Sequence, residues 1–153
     1  MPKLAGPTRS FSISAKNRAL LATALMVLGP VRVAVQAQAD LAAMRTRAEQ
    51  GDPEALNALA NAYANGQGVP ASMADALRLY QQAADRGLAA AQFNLGMMHE
   101  LGRGVAPDLS KAFQYYLKAA EQGFAPAQFN VGNMYANALG TKPDYFEAAL
   151  WFR

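Results

Sequence analysis

From residue 51 onward, apolar and polar positions follow a helical rhythm that recurs as a block. Ala55, Leu59 and Tyr63 fall at i, i+4 and i+8 and make one apolar stripe. Asp52 stands before them as an N-cap, with Pro53 at the first helical position, where its missing N–H costs nothing. Gly66-Gln67-Gly68-Val69-Pro70 ends that helix and turns the chain. Ser72 opens a second helix, and Asp75 three residues on completes a capping-box pattern. Gly87 then stands where a helix C-terminus calls for a left-handed residue. The pattern predicts a helical hairpin.

The hairpin repeats. Gly51, Gly87 and Gly123 lie 36 residues apart, and the same offset aligns Ala55, Ala91 and Ala127, then Leu59, Leu95 and Val131. Tyr63, His99 and Tyr135 fall in register, as do Gly68, Gly104 and Gly140, and the aromatics Tyr80, Tyr116 and Phe152. Asp144 and Glu147 repeat the capping box, whereas Asp108 is followed by Lys111 and lacks it. Small residues at 60, 96 and 132 are expected to let the helices of each pair approach closely, with the aromatics at 80, 116 and 152 filling the space between pairs. One hairpin cannot bury its own apolar face, so stability must come from stacking on neighbours. The expected fold is an all-α solenoid of stacked two-helix hairpins: residues 51–87, 88–123 and 124–153, the last truncated. Residues 40–50 align with the second helix of each repeat and read as an N-terminal capping half-repeat. Trp151 and Phe152 close the chain without a polar cap, which points to a fragment of a longer array or to end-to-end pairing through these two rings.

Residues 1–39 have a different character. Basic residues up to Arg18 precede the apolar run Ala19 to Leu28, and Gly29-Pro30 is expected to break it. Ala37-Gln38-Ala39 supplies a small-x-small site, so the segment reads as an export signal cleaved after Ala39, leaving Asp40 as the new N-terminus. An uncleaved leader is the alternative. Only 13 uncharged residues separate Arg18 from Arg32, against the roughly 20 apolar residues a spanning helix needs. No stable membrane span is therefore expected after cleavage, and the expected compartment is extracytoplasmic, such as a periplasm.

Composition narrows the chemistry. With no cysteine and one histidine, disulfides, thiolate metal sites and any centre needing two imidazoles are excluded. Five of the 14 Lys and Arg precede residue 40, while all 11 Asp and Glu lie at or beyond it. The repeat region is thus slightly acidic, and the basic balance of the whole chain gives no case for nucleic-acid binding.

Ala91-Gln92-Phe93-Asn94-Leu95-Gly96-Met97-Met98-His99 resembles the first-helix motif of the Sel-one-like repeat, A-x-x-x-L-G-x-x-Y. Gly102-Arg103-Gly104-Val105 resembles its G-x-G-V turn, and Lys111 to Gly123 resembles its second helix, K-A-x-x-W/Y-x-x-K-A-A-x-x-G. The resemblance spans residues 48–153. In the third period Ala138-Leu139-Gly140-Thr141 replaces the turn, and His99 stands where the family prefers Tyr. The resemblance implies a non-enzymatic adaptor and no particular partner. A few exported members are β-lactam hydrolases, but those are cysteine-rich, and this chain is not.

No catalytic, cofactor or metal constellation emerges. The Gly-x-Gly turns at 66–68 and 102–104 lack the strand, third glycine or Gly-Lys-Ser/Thr of phosphate loops. His99-Glu100 fails as H-E-x-x-H because Arg103 holds the fifth position, and His99 reads as a packing residue. Ser10, Ser12 and Ser14 fall in the leader, Ser72 caps a helix, and no serine has a local histidine. Recognition remains. If the first helices line the concave face, the positions opposite the core stripe are Asn57, Asn61, Phe93, Met97, Phe129 and Asn133. Amides, aromatics and thioethers in a row suit a protein or peptide ligand. An assembly spacer built by end-to-end stacking is the alternative.

Overall fold

The structure, a computed structural model, describes the backbone of residues 15–152 and the side chains of residues 31–152. Lys3, Arg9, Ser10, Ser12, Ser14 and Arg153 lie outside the described residues. Seven helices and no strand occur among them: α1 Ala15–Glu49, α2 Pro53–Asn65, α3 Met73–Asp85, α4 Ala89–Leu101, α5 Leu109–Glu121, α6 Ala125–Asn137 and α7 Tyr145–Trp151. The chain divides into two compact units between Gln38 and Ala39. The first unit contributes the N-terminal part of α1. The expected break at Gly29-Pro30 is not there, since the helix runs through both residues. Proline removes one amide donor and disfavours a helix interior, but the flanking Ala, Leu and Met are strong helix formers. No helix among the described residues is long and apolar enough to cross a membrane.

In the second unit the hairpins are α2–α3, α4–α5 and α6–α7. α2 to α6 are 13 residues each, so the 36-residue period is carried by helices of equal length. The caps explain the punctuation. Asp52 accepts from the Ala55 amide, Asp108 from Lys111, and Asp144 from Phe146 and Glu147. At Ser72 the capping box closes only halfway: its Oγ accepts from the Asp75 amide and donates to the Asp75 carboxylate. Its backbone N–H is engaged elsewhere, by the Tyr63 carbonyl. That bond recurs as Asp108 to His99 and Asp144 to Tyr135, tying each second helix to the end of its first. Second helices end in one recurring motif: Gly87 N–H donates to Ala84 and Leu88 N–H to Ala83, as Gly123 does to Ala120 and Phe124 to Ala119.

Side-chain bonds define two layers. Asn94 of α4 donates to Asn57 of α2 at 3.0 Å, linking first helix to first helix. The Tyr115 hydroxyl of α5 donates to Gln81 of α3 at 2.9 Å, linking second to second. Between the layers one core runs from Ala48 through Leu56, Leu59, Leu79 and Tyr80 to Leu95 and Met98, with Leu41 and Met44 of α1 packed on it. A second gathers Tyr116, Val131 and Met134, with Trp151 and Phe93 against it. The aromatics expected between pairs do meet the next hairpin, Tyr80 in one core with Leu95 and Met98 and Tyr116 in the other with Val131 and Met134, and they pack within their own pair as well. A Cβ on Gly96 would lie 2.6 Å from the Tyr116 ring, and one on Gly132 2.7 Å from Phe152. In these two hairpins the glycine of the first helix is the floor for the aromatic of the second.

Candidate functional site

Tyr80 and Tyr116, one period apart on the second helices, send their hydroxyls to the first-helix layer, and the local sequence decides where each one goes. Tyr80 donates to Asn61 at 2.5 Å. One period on, position 97 is Met and cannot accept strongly, so Tyr116 donates to Glu100 at 2.5 Å, one turn further along α4. Burial raises the pKa of Tyr80. It raises that of Tyr116 further, helped by the hydrogen bond to the Glu100 carboxylate and its charge. Both phenols therefore stay protonated donors at any physiological pH.

Around these anchors the first-helix face is an amide row. Asn57 and Asn61 are half-buried and each accepts one bond, from Asn94 and Tyr80. An amide carries two N–H donors besides its oxygen; the oxygens of Asn57 and Asn61 are engaged, and their side-chain N–H groups make no hydrogen bond among the described residues. Met97 is half-buried and, with Asn94, Tyr80, Met73, Asn65 and Arg103, lines a cleft of about 50 Å³. That volume admits the tip of one side chain, far below the several hundred Å³ of a small-molecule pocket.

The other expected positions are placed differently. Phe93 packs with Tyr116 at 5.4 Å and Phe124 at 5.3 Å between ring centroids, inside the second core. Phe129 is 59% exposed and sits 5.8 Å from Phe152. Asn133 is half-buried, and its backbone carbonyl accepts from Asn137. Asn57 and Asn61 are thus bonded to Asn94 and Tyr80, which line the cleft together with Met97, while Phe129 and Asn133 lie a repeat away. The sequence reading missed Asn94, Tyr80 and Arg103. Asn94 and Asn130 do recur at the period, and that recurrence was the available signal.

His99 behaves as the packing residue its register implied. Its ring stacks on Tyr115 at 5.6 Å and 10° between planes. Its Nδ1 is buried without a hydrogen-bond partner among the described residues. Burial lowers its pKa, the Lys111 charge lowers it further, and Asp108 partly offsets both. No group of three or more His, Asp or Glu among the described residues could hold a metal ion.

The sequence profile of the Sel1 repeat matches residues 53–88, 89–124 and 125–153, segments that begin at the first residues of α2, α4 and α6. No curated protein matches the chain by sequence. Among solved structures, a Sel1 repeat protein from Oxalobacter formigenes is similar at 36% identity and a TM-score of 0.70, over 74% of this chain and 85% of that one. The protective antigen c5321 of uropathogenic Escherichia coli, which displays the same repeat fold, is similar at 39% identity and a TM-score of 0.69. That match covers 71% of this chain and 23% of the antigen. With three matched repeats and solved relatives of this similarity, the chain belongs to the Sel1 repeat family.

Proposed function

We propose that this protein is an exported adaptor that binds a protein or peptide segment on its first-helix face. Sel1 repeats generally mediate protein interactions, which sets the class. The observation that carries the reading is the anchored amide row. Asn57 and Asn61 hold their oxygens on Asn94 and Tyr80, and their N–H groups suit the carbonyls of a bound backbone. Met97 and the small cleft beside it suit one apolar side chain. Export is supported by the leader pattern, and Leu41, Met44 and Ala48 of α1, all beyond Ala39, pack on the first core. A chain starting at Asp40 would keep them.

The test combines Met97→Ala with Arg103→Ala, which alter the cleft and leave Asn61 and Glu100, the acceptors of the two tyrosines, in place. Partner capture by the tagged chain should fall at least about tenfold while helical content stays the same. Capture unchanged by both substitutions contradicts the assignment. The mature chain isolated from the same cells should begin at Asp40 by mass spectrometry.

End-to-end stacking is the second reading, and the exposed rings favour it. Tyr145, Phe146 and Phe152 are 75%, 72% and 49% exposed, whereas Trp151 packs on the second core. Mass that rises with concentration in sedimentation supports stacking; a monomer throughout argues against it.

A further inference from the structure

On the opposite layer, a groove of about 530 Å³ runs between the end of α1 and the hairpin α2–α3. Leu56, Leu59 and Leu79, all buried, lie at its base, and its rim carries Arg45, Arg78 and Arg86 against the single carboxylate of Glu49. Residue choice at three register positions sets this groove apart from the next junction. One period on, Tyr115 replaces Leu79, and its ring stacks on His99, donates to Gln81 and lies under the Lys118 ammonium at 5.8 Å. Gln81 and Gln122 stand there in place of Arg45 and Arg86, and Gln122 donates to Gln92 of its own hairpin at 2.7 Å. That junction keeps a groove of about 410 Å³ along Leu77, Gln81, His99 and Val105, in which Arg78 is the one guanidinium. At the first junction the amides are exchanged for guanidinium groups.

Those groups are poorly neutralised. Arg78 has only Asp75 at 3.6 Å, with both side chains largely exposed. Arg86 is oriented by donating to the Gln82 carbonyl at 2.8 Å and by lying over Gly51, where a Cβ would come within 3.1 Å of it. Neither Arg45 nor Arg86 makes an ion pair, although the repeat region around them is acidic on balance. Guanidinium groups in fixed positions take carboxylates in paired hydrogen bonds, and an apolar floor of this size takes aliphatic side chains.

We propose that this groove docks an acidic peptide segment of a partner protein, its carboxylates on Arg45, Arg78 and Arg86 and an aliphatic residue on the leucine floor. The site is independent of the first-helix face and does not rest on the function assigned to it.

The experiment is a fluorescence-polarisation titration of the whole chain with a labelled peptide in which Glu alternates with Leu, and with its counterpart carrying Gln for Glu. The acidic peptide binds, the Gln counterpart binds at least about tenfold more weakly, and added salt weakens the acidic peptide selectively. Arg45→Glu with Arg86→Glu lowers affinity about tenfold or more. Leu79→Tyr does the same by filling the groove while leaving its charge. Lys142→Glu, at an exposed position of the third repeat, stays within about twofold. Far-UV circular dichroism checks each variant; the arginines are exposed, so they decide the matter even if Leu79→Tyr misfolds. Failure of the acidic peptide to bind, equal affinity for the Gln peptide, or indifference to the double charge reversal overturns the proposal. Displacement of the peptide by phosphatidylglycerol vesicles also overturns it, in favour of a lipid headgroup.

Discussion

Ala138 takes up the left-handed conformation that glycine occupies at the two equivalent turns, with φ 56° against 67° at Gly66 and Gly102. The Cβ of an L-residue costs roughly 1–2 kcal/mol there. Ala138→Gly should therefore stabilise the third repeat by about 0.5–1 kcal/mol, after the extra freedom glycine adds to the unfolded chain. A rise of a few degrees in melting temperature is expected, and no rise contradicts the strain. Asn61 works the other way. Removing it orphans the buried Tyr80 hydroxyl, so Asn61→Ala should cost about 1–2 kcal/mol, and adding Tyr80→Phe should recover part of the loss. A scan that took Asn61 as a pure contact residue would mistake this loss of stability for loss of binding. His99 gives the pH dependence. Its folded pKa is depressed below the ordinary 6.5, so the unfolded chain takes up a proton that the folded chain refuses. Stability is complete above about pH 7 and falls as the pH drops through 6.5. His99→Tyr, the residue of the other two repeats, should abolish the decline that sets in below about pH 6.5. Asp52 and Asp108, whose pKa values are lowered by bonds from the Ala55 and Lys111 amides, contribute only at lower pH.

At the scale of the element, the contest at Gly96 can be decided by magnitude. Alanine is favoured over glycine within a helix by about 1 kcal/mol. A Cβ at 2.6 Å from the buried Tyr116 ring forces repacking worth about 1–3 kcal/mol. Gly96→Ala should therefore destabilise by about 1 kcal/mol net, read from denaturant midpoints; a gain would show that the ring moves freely. Helices and caps were legible because they depend on residue types at fixed spacing: Asp52-Pro53, the Gly turns and the apolar stripes each act within one turn of the chain. The partners of Tyr80 and Tyr116 were not legible. Each depends on which residue two helices meet at, and Asn61 against Met97 decides it only once the helices are packed. Phe93 shows the same limit. Opposite the core stripe in a helical projection, it is enclosed by α5 and the Phe124 turn, which a single-helix pattern does not contain.

At the scale of the whole molecule, the repeat explains which surfaces are scaffold and which are free to recognise something. Junctions that recur, such as the Ser72, Asp108 and Asp144 amide bonds to the preceding helix, hold the solenoid together. Departures from the repeat mark the open surfaces: Asn61 beside Met97 on one layer, Leu79 beside Arg45 and Arg86 on the other. The period alone predicted the solenoid; the departures needed contacts to acquire meaning. Chains beginning at Asp40 should unfold within a few degrees of the full-length protein, because Leu41, Met44 and Ala48 are retained. The central claim is recognition by the first-helix face. The most direct test places a photo-crosslinking residue at Met97 and, in a separate chain, at the exposed Gln114 of the second-helix layer, in the cells that make the protein. One dominant partner captured from position 97 and absent from position 114 is the predicted result. Equal capture from both positions, or capture from 114 alone, would contradict it.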